Sequence, residues 1–399
     1  TPGGPGPRWE RLRGRPSLTV VLVSLYVIEN SGIRLLASIL RRAGVAVHEI
    51  YFKDWVSNRI EPPTAREFEL LIAEIVRIGP DLVGLSVRAS AFHDMARDLT
   101  TRIRAAWDAP VLWGGMHASS CPEEAAAVAD LVCIGESERS FAMLADRLRT
   151  GGDITTIPGL WVHAAGGLVR NPTADLVQDL DSLPHPDYAS PDKVAIEWNR
   201  VRRGRDPCLD ESLYLVMASR GCPFPSCTFC SNSVVDRMYP GRRYHRTRTV
   251  GHVIDEIASA RRVFPRLRRI RFDDEEFPVA PAWLDEFCTR WPAEVGLPFE
   301  IHMDPRVVTP ERLARLRDVG LSMVFMGIQS TEKINRDLYH RDVSDEQVLR
   351  SARAIHASGV RAGYQVILDD PVSTSADKRA LFDLLLDRKS TRLNSSHVS

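Results

Sequence analysis

The stretch Thr19-Val-Val-Leu-Val-Ser-Leu25 is a continuous apolar run rich in β-branched residues. Such a run marks a strand buried on both faces of a parallel sheet. Outward from it the signal alternates. Ile33, Leu36, Ile39 and Leu40 recur at helical spacing, and Gly44 stops that helix. Residues 45–50 predict a second strand. Residues 64–78 predict an amphipathic helix closed by Gly79-Pro80, and residues 81–87, DLVGLSV, a third strand. Strands are also expected at 110–113 and 131–134, each leading into a helix. Five such units in succession predict an α/β domain with an open, doubly wound, flavodoxin-like sheet and right-handed crossovers.

The chain has 399 residues, 44% hydrophobic and 26% charged. That composition excludes disordered, collagen-like and small disulfide-framed proteins. Lys plus Arg and Asp plus Glu number 52 each, so no net charge calls for nucleic acid or an anionic membrane. No apolar run reaches the roughly 18 residues that span a bilayer. A small molecule is the expected partner, with no nucleic acid and no membrane. Seven cysteines without an export signal point to reduced thiols and a cytoplasmic location.

After residue 157 the pattern changes. LWVHAAGGLVR predicts a hairpin around Gly166-Gly167, and DLDSLPHPDY an extended connector. A second βα series begins at Leu213 with LYLVMAS. Its further strands are expected near 268–272, 299–303, 323–328 and 362–368, with helices at 250–263, 310–319, 344–358 and from 377. The expected organisation is a disordered segment at 1–16, a doubly wound domain at 17–152, a hairpin and linker at 153–207, and a partial barrel at 208–386. Residues 387–399 begin DRKSTRLNSSH, which reads as translated sequencing adapter and is set aside from the fold. With Thr1 in place of an initiator Met, an incomplete start is expected.

Cys222-Pro-Phe-Pro-Ser-Cys227-Thr-Phe-Cys230 places three thiols on the loop after the first strand of the second series. Three thiolates can hold three irons of a [4Fe–4S] cluster and leave the fourth iron open to a ligand. The alternative is a zinc site with Cys208 as a fourth ligand, which would make the chain a non-catalytic, zinc-stabilised binding protein.

SRGCPFPSCTFC, followed by GRRYHRTR, resembles the radical S-adenosylmethionine (radical SAM) superfamily. Its usual signature has three residues between the first two cysteines, and four stand here. The resemblance implies a [4Fe–4S] cluster on Cys222, Cys227 and Cys230. The open iron would chelate S-adenosylmethionine, whose reductive cleavage gives a 5′-deoxyadenosyl radical. It places Phe229 beside the adenine, and Asp273, Asp274 and Glu275 toward the SAM amine. Gln329 and Ser330 fall at the ribose and Arg341 at the SAM carboxylate, with Arg306 a weaker candidate.

WGGMHASSCPEEA followed by LVCIGESE is similar to the cobalamin-binding domain that precedes many radical SAM domains. The matching positions are Ser86, Gly114, Gly115, Gly135 and Glu136. The first loop, Ile28-Glu29-Asn30-Ser31-Gly32, carries no histidine to coordinate cobalt, and the role of His117 is open. Together these features imply a cobalamin-dependent methyltransferase of the class B type. It would methylate an unactivated carbon or phosphorus centre, draw electrons from an external flavodoxin- or ferredoxin-type donor, and use a second SAM to recharge the cobalamin. Without cobalamin the same architecture implies radical cyclisation, oxidation or rearrangement. The family core usually has six barrel strands, so a (β/α)6 barrel truncated after strand five is expected.

Overall fold

A computed structural model describes residues 6–54, 61–242, 244–368 and 370–386. The adapter-like residues 387–399 lie outside them. The chain folds as two compact units. One comprises residues 1–177, 182–210 and 237–240, the other residues 178–181, 211–236 and 241–399.

The first unit is built on β1 (Thr19–Leu25), α1 (Ser31–Arg42), β2 (Ala46–Phe52), α2 (Ala65–Ile78), β3 (Leu82–Ser86) and α3 (His93–Ala106). It continues through β4 (Val111–Gly114), the short helices α4 (Met116–Ser120) and α5 (Pro122–Ala126), β5 (Leu131–Cys133) and α6 (Ser137–Thr150). Strands β1 to β5 are parallel in the order β2-β1-β3-β4-β5, the doubly wound arrangement, whose order reverses between β1 and β3. Alternate β1 residues serve opposite layers. Val21, Val23 and Leu25 pack with α2, α3 and α5, while Val20 and Leu22 pack with α1 and α6. Helix α2 starts where the composition predicts, because Thr64 and Glu67 form a reciprocal capping box.

Two expectations change here. The hairpin expected around Gly166-Gly167 forms, but the stretch after it, expected as an extended connector, adds two further strands. Strands β6 (Leu160–Ala164) and β7 (Gly167–Arg170) extend the β5 edge antiparallel, and β8 (Lys193–Glu197) pairs parallel with β2 and carries β9 (Arg200–Arg203). The sheet therefore has nine strands. Part of the segment expected to be disordered is ordered. Arg8–Leu12 forms a turn of 3-10 helix with Trp9 and Leu12 buried against the α1–α6 layer, because two large apolar side chains within four residues have a core to enter.

The added strands bring a buried charge cluster. Arg34 of α1 and Asp206 are both fully buried and meet through two hydrogen bonds, of 2.8 and 2.7 Å. Lys193 Nζ lies 2.7 Å from the same carboxylate. The Arg34 guanidinium also faces the Tyr51 and Tyr188 rings at 4.5 and 4.3 Å. Burial opposes the charge on Asp206, but Arg34 and Lys193 hold its carboxyl below the usual range.

The second unit contains β10 (Leu213–Val216), the two-residue strand β11 (Ser219–Arg220), α7 (Ser231–Met238, whose last residues belong to the first unit), β12 (Arg246–Thr247) and α8 (Val250–Val263). Then follow β13 (Arg269–Phe272), α9 (Pro281–Glu294), β14 (Phe299–Met303), α10 (Pro310–Asp318), β15 (Leu321–Gln329), α11 (Glu332–Asp337), α12 (Asp345–Ser358), β16 (Arg361–Val366) and α13 (Ser375–Leu385). Strands β10, β13, β14, β15 and β16 are parallel and neighbour one another in sequence order, the order of a βα-barrel wall. Phe272 anchors the core, its ring centroid 5.0–5.9 Å from those of Phe277, Phe287, Trp291 and Phe299. At the end of β13, Asp274 turns inward. Its Oδ1 accepts hydrogen bonds from the backbone N–H and, at 2.6 Å, from the hydroxyl of Ser219. Burial, against those bonds, pushes its carboxyl up to about 7.

Two measurements check these clusters. Asp206→Ala leaves two buried cations short of their counter-charge and is expected to cost about 3–5 kcal/mol, read as a lower urea midpoint at unchanged slope. Asp274 has the opposite sign. Its raised folded pKa gives stability that is full below the unfolded value near 3.9 and is lost as pH rises through about 7. Asp274→Asn should therefore gain on the parent chain between pH 4 and 8, by at most about 1.4 kcal/mol per pH unit. A stability gap that stays constant with pH would place the titration elsewhere.

Candidate active site

The three clustered thiols follow β11 on a loop that its own unit fastens from the side. Thr228 N–H and Oγ1 donate to the carbonyls of Tyr339 and Leu338 at 2.9 and 2.8 Å, and Ser226 Oγ donates to that of His340 at 3.1 Å. Cys227 is buried, while Cys222 and Cys230 are half-buried. Phe224 N–H points at Cys222 Sγ at 3.3 Å. The Asn232 amide points at Cys230 Sγ at 3.5 Å and accepts at 2.6 Å from the Tyr244 hydroxyl. Donors aimed at sulfur favour the thiolate and tune a bound cluster. Burial pushes the Cys222 thiol up to about 12 and raises Cys227 as well, against the charges of Arg341 and Arg306. Buried thiolates here need a cationic partner to persist.

A structural zinc takes four protein ligands, whereas a [4Fe–4S] cluster held by three cysteines gives each its own iron and leaves the fourth iron open. Cys208 is buried in the first unit, its Sγ bonded to the Ile28 carbonyl and Arg34. The donor set fits the cluster.

The acidic end of β13 divides. Asp273 and Glu275 are exposed, whereas Asp274 is buried on Ser219, three residues before Cys222. Sequence reasoning missed the next two acids. Glu276 is buried, accepts from the Asp304 backbone N–H at 2.7 Å, and leaves Oε1 without a protein partner. Asp304 is gripped by Arg306 at 2.7 and 3.0 Å and by Arg341 at 2.8 Å. Arg341, expected at a carboxylate, is buried and also donates to the Gly327 and Ile328 carbonyls at 2.7 and 3.1 Å. The Arg306 guanidinium stacks on the Phe224 ring at 3.7 Å, inside the widened Cys222–Cys227 interval. Phe229 is exposed, edge-on to Tyr339 at 5.0 Å.

Gln329 closes β15 at a register shift with φ +65°, a region costly for a residue with a Cβ. A Cβ at Gly327 would lie 2.5 Å from Gln329 Nε2, so the amide folds back over this position and would have to swing aside for any side chain there. Ser330 is buried, and its carbonyl accepts from Asn335 at 2.7 Å.

In the first unit, the crevice at the C-terminal ends of β1 and β3 is bridged by Asn30. Its amide donates to the hydroxyls of Ser24 and Ser86 at 3.0 and 3.1 Å. Asn30 and Ser24 carried no sequence signal. Of the strand-end glycines, Gly114 has the most room, with Cys133 and Ser137 atoms 3.9 Å from a hypothetical Cβ. Gly115 and Gly135 instead admit their own unit: the Val87 backbone lies where a Gly115 Cβ would go, and the Tyr239 hydroxyl where a Gly135 Cβ would go. Glu136 N–H donates to that hydroxyl at 3.3 Å, and its Oε2 accepts from Val177 N–H at 2.9 Å. A polar crevice at a strand-order reversal, opened by one glycine, suits a bulky polar cofactor. It holds no histidine in its first loop.

Residues 17–145 match the B12 binding domain and residues 216–383 the radical SAM superfamily. The chain is 26% identical over 321 residues to an uncharacterized methyltransferase of Pyrococcus horikoshii, covering 77% of this chain and 65% of that one. It is 22% identical over 271 residues to a bacteriochlorophyllide d C-8(2)-methyltransferase of Chlorobaculum tepidum, covering 65% of this chain and 52% of that one. It thus spans between half and two thirds of the length of these curated relatives. Its fold is similar to that of the radical S-adenosylmethionine methyltransferase TsrM of Kitasatospora setae, with TM-score 0.71 and 21% identity over 94% of this chain and 72% of that one. It is also similar to the cobalamin-dependent S-adenosylmethionine radical enzyme OxsB, with TM-score 0.70 and 20% identity over 94% and 52%. No described helix is long and apolar enough to cross a membrane. The chain carries, in order, a B12 binding domain and a radical SAM domain, and belongs with the proteins that combine the two.

Proposed function

We propose that this chain is a cobalamin-dependent radical SAM methyltransferase acting on an unactivated carbon or phosphorus centre of a small molecule. The observation that carries this reading is the pairing, in one chain, of a three-thiol loop at a parallel-strand end with a B12 binding domain. Both curated relatives bear the name methyltransferase, which supports methylation over other radical chemistry.

When bound, the cluster, S-adenosylmethionine and cobalamin supply one-electron cleavage of a sulfonium bond and a transferable methyl group. The protein residues supply placement. Cys222, Cys227 and Cys230 hold the cluster, with Phe224 N–H and Asn232 donating toward two of the sulfurs. Asp274 fixes Ser219 and so the take-off of the loop. Arg306 and Arg341 bring positive charge beside Cys227, offsetting a bound anionic cluster. Asp273 and Glu275, at the end of β13, would meet the cofactor amine, and Gln329, at the end of β15, its ribose, with Phe229 beside its adenine. Ser86, Gly114 and the Asn30 bridge line the cobalamin crevice. The reductant is an external flavodoxin- or ferredoxin-type protein, and the compartment is the reducing cytoplasm.

A second reading keeps the radical chemistry and drops cobalamin. The histidine-free first loop favours it, because nothing there ligates cobalt.

Anaerobic reconstitution of the full chain with iron, sulfide and hydroxocobalamin, followed by SAM and a reductant, separates these readings. Expected are about four irons per chain, one retained corrinoid, and formation of 5′-deoxyadenosine and S-adenosylhomocysteine. Cys222→Ala, Cys227→Ala and Cys230→Ala should each abolish the cluster absorption and SAM cleavage. Iron with no retained corrinoid selects the cobalamin-free reading. One tight zinc and no iron would falsify both.

A further inference from the structure

We propose that His93, His117 and Glu124 form a site for a first-row transition-metal ion of the zinc class in the B12 binding unit, separate from both the iron–sulfur loop and the cobalamin crevice. Their ligand atoms lie within 4.8 Å of one another. Three consecutive loops or helices at the C-terminal side of β3 and β4 supply them. His93 opens α3, His117 lies in α4, and Glu124 in α5.

The second observation is an unanswered group. The His117 side chain is fully buried, and its Nε2 has no hydrogen-bond partner among the protein atoms. A buried polar atom left unpaired is destabilising, so the site is built at a stability cost that a ligand removes. The other ring nitrogen is engaged, with Nδ1 3.0 Å from Ser90 Oγ. With Nδ1–H donating to that hydroxyl, Nε2 carries the lone pair and faces Glu124 Oε2 at 3.9 Å. A ligating histidine is oriented by such a bond on its far nitrogen. The His93 ring centroid stands 5.0 Å from that of His117 at 61°, and buried Trp113 walls both rings at 5.8 and 6.4 Å.

The backbone presets the pair. His117 N–H donates to the Val87 carbonyl at 3.0 Å, tying the β4 loop to the β3 loop that carries Ser90 and leads to His93. Zinc held by nitrogen and carboxylate places neighbouring ligand atoms about 3.3 Å apart. Closing from 3.9 Å is a rotamer adjustment for Glu124, whose side chain is 62% exposed. Two imidazoles and a carboxylate select zinc-class ions over magnesium or calcium, and the exposed side leaves positions for water. The site lies in the α2–α3–α5 layer, where Phe92, Ala96, Ala118 and Ala125 are core. The space beside Gly114 faces Cys133 and Ser137, and Cys133 belongs to the α1–α6 layer. The inference does not depend on the methyltransferase reading.

Zinc titration against a chromogenic chelator, on the full chain with its cluster reconstituted so that the thiols are occupied, tests it. Expected is one equivalent bound at micromolar or tighter affinity, weakened at least tenfold by His93→Ala and by Glu124→Gln. Neither substituted side chain is buried, so both variants should fold even if His117→Ala does not. Cobalt(II) loading should give visible d–d bands in the parent chain that His93→Ala removes. Equal zinc affinity in parent chain and both variants, or no zinc bound at 100-fold excess over the chain, overturns the proposal.

Discussion

Parallel strands joined by right-handed crossovers deliver every strand-to-helix loop to the same edge of the sheet, and both cofactor sites of this chain depend on that constraint. Backbone hydrogen bonds fix the strands, so the loops inherit fixed origins. In the first unit the order reversal between β1 and β3 opens the crevice that Asn30 spans. In the second, strands in sequence order set the cysteine loop, the acids of β13, Asp304 after β14 and Gln329 of β15 at successive strand ends. The thiol loop does not rest on its own backbone alone, because Thr228 fastens it to the Leu338 carbonyl after α11 and Ser219 fastens its start to Asp274 after β13.

Both units also bury arginine, and both do so with aspartate. Arg34 meets Asp206 with Lys193 as a third charge, and Arg341 meets Asp304 with Arg306. A buried guanidinium is tolerable only when its charge and its N–H groups are answered. In the first unit the answer comes 172 residues away along the chain, which welds α1 to the strands added after the hairpin. In the second it comes from a strand end and two carbonyls beside the thiol loop. One cluster is architecture. The other sits where a negatively charged cofactor assembly would be balanced.

The backbone plan was legible because buried parallel strands and amphipathic helices impose their periods on the residues directly. Helix 250–263 is reproduced as Val250–Val263, and the first unit has its five expected parallel strands. The cysteine spacing was legible for the same reason, being local. Strands β8 and β9 were not. β9 reads RVRR, with exposed arginines and one half-buried valine, which carries no apolar signal. Nor could composition tell Asp274 from its neighbours Asp273 and Glu275, since half a strand period decides which carboxylate turns to Ser219 and which faces solvent. Glu276 and the Arg341–Asp304 pair were hidden because their partners lie 28 and 37 residues away. His117 was noticed in sequence, but its role depends on Ser90 and His93, which only the fold brings beside it.

The fold-back of the Gln329 amide over Gly327 bears on how this chain can change over generations. A Cβ at position 327 would lie 2.5 Å from Gln329 Nε2, the far end of a flexible side chain, so a side chain there is admitted only with the amide swung aside. The two positions are therefore epistatic: the effect of replacing the glycine depends on what stands at 329. A shorter residue at 329 would make the change at 327 nearly silent, whereas with glutamine in place the same change re-aims the group that closes this strand.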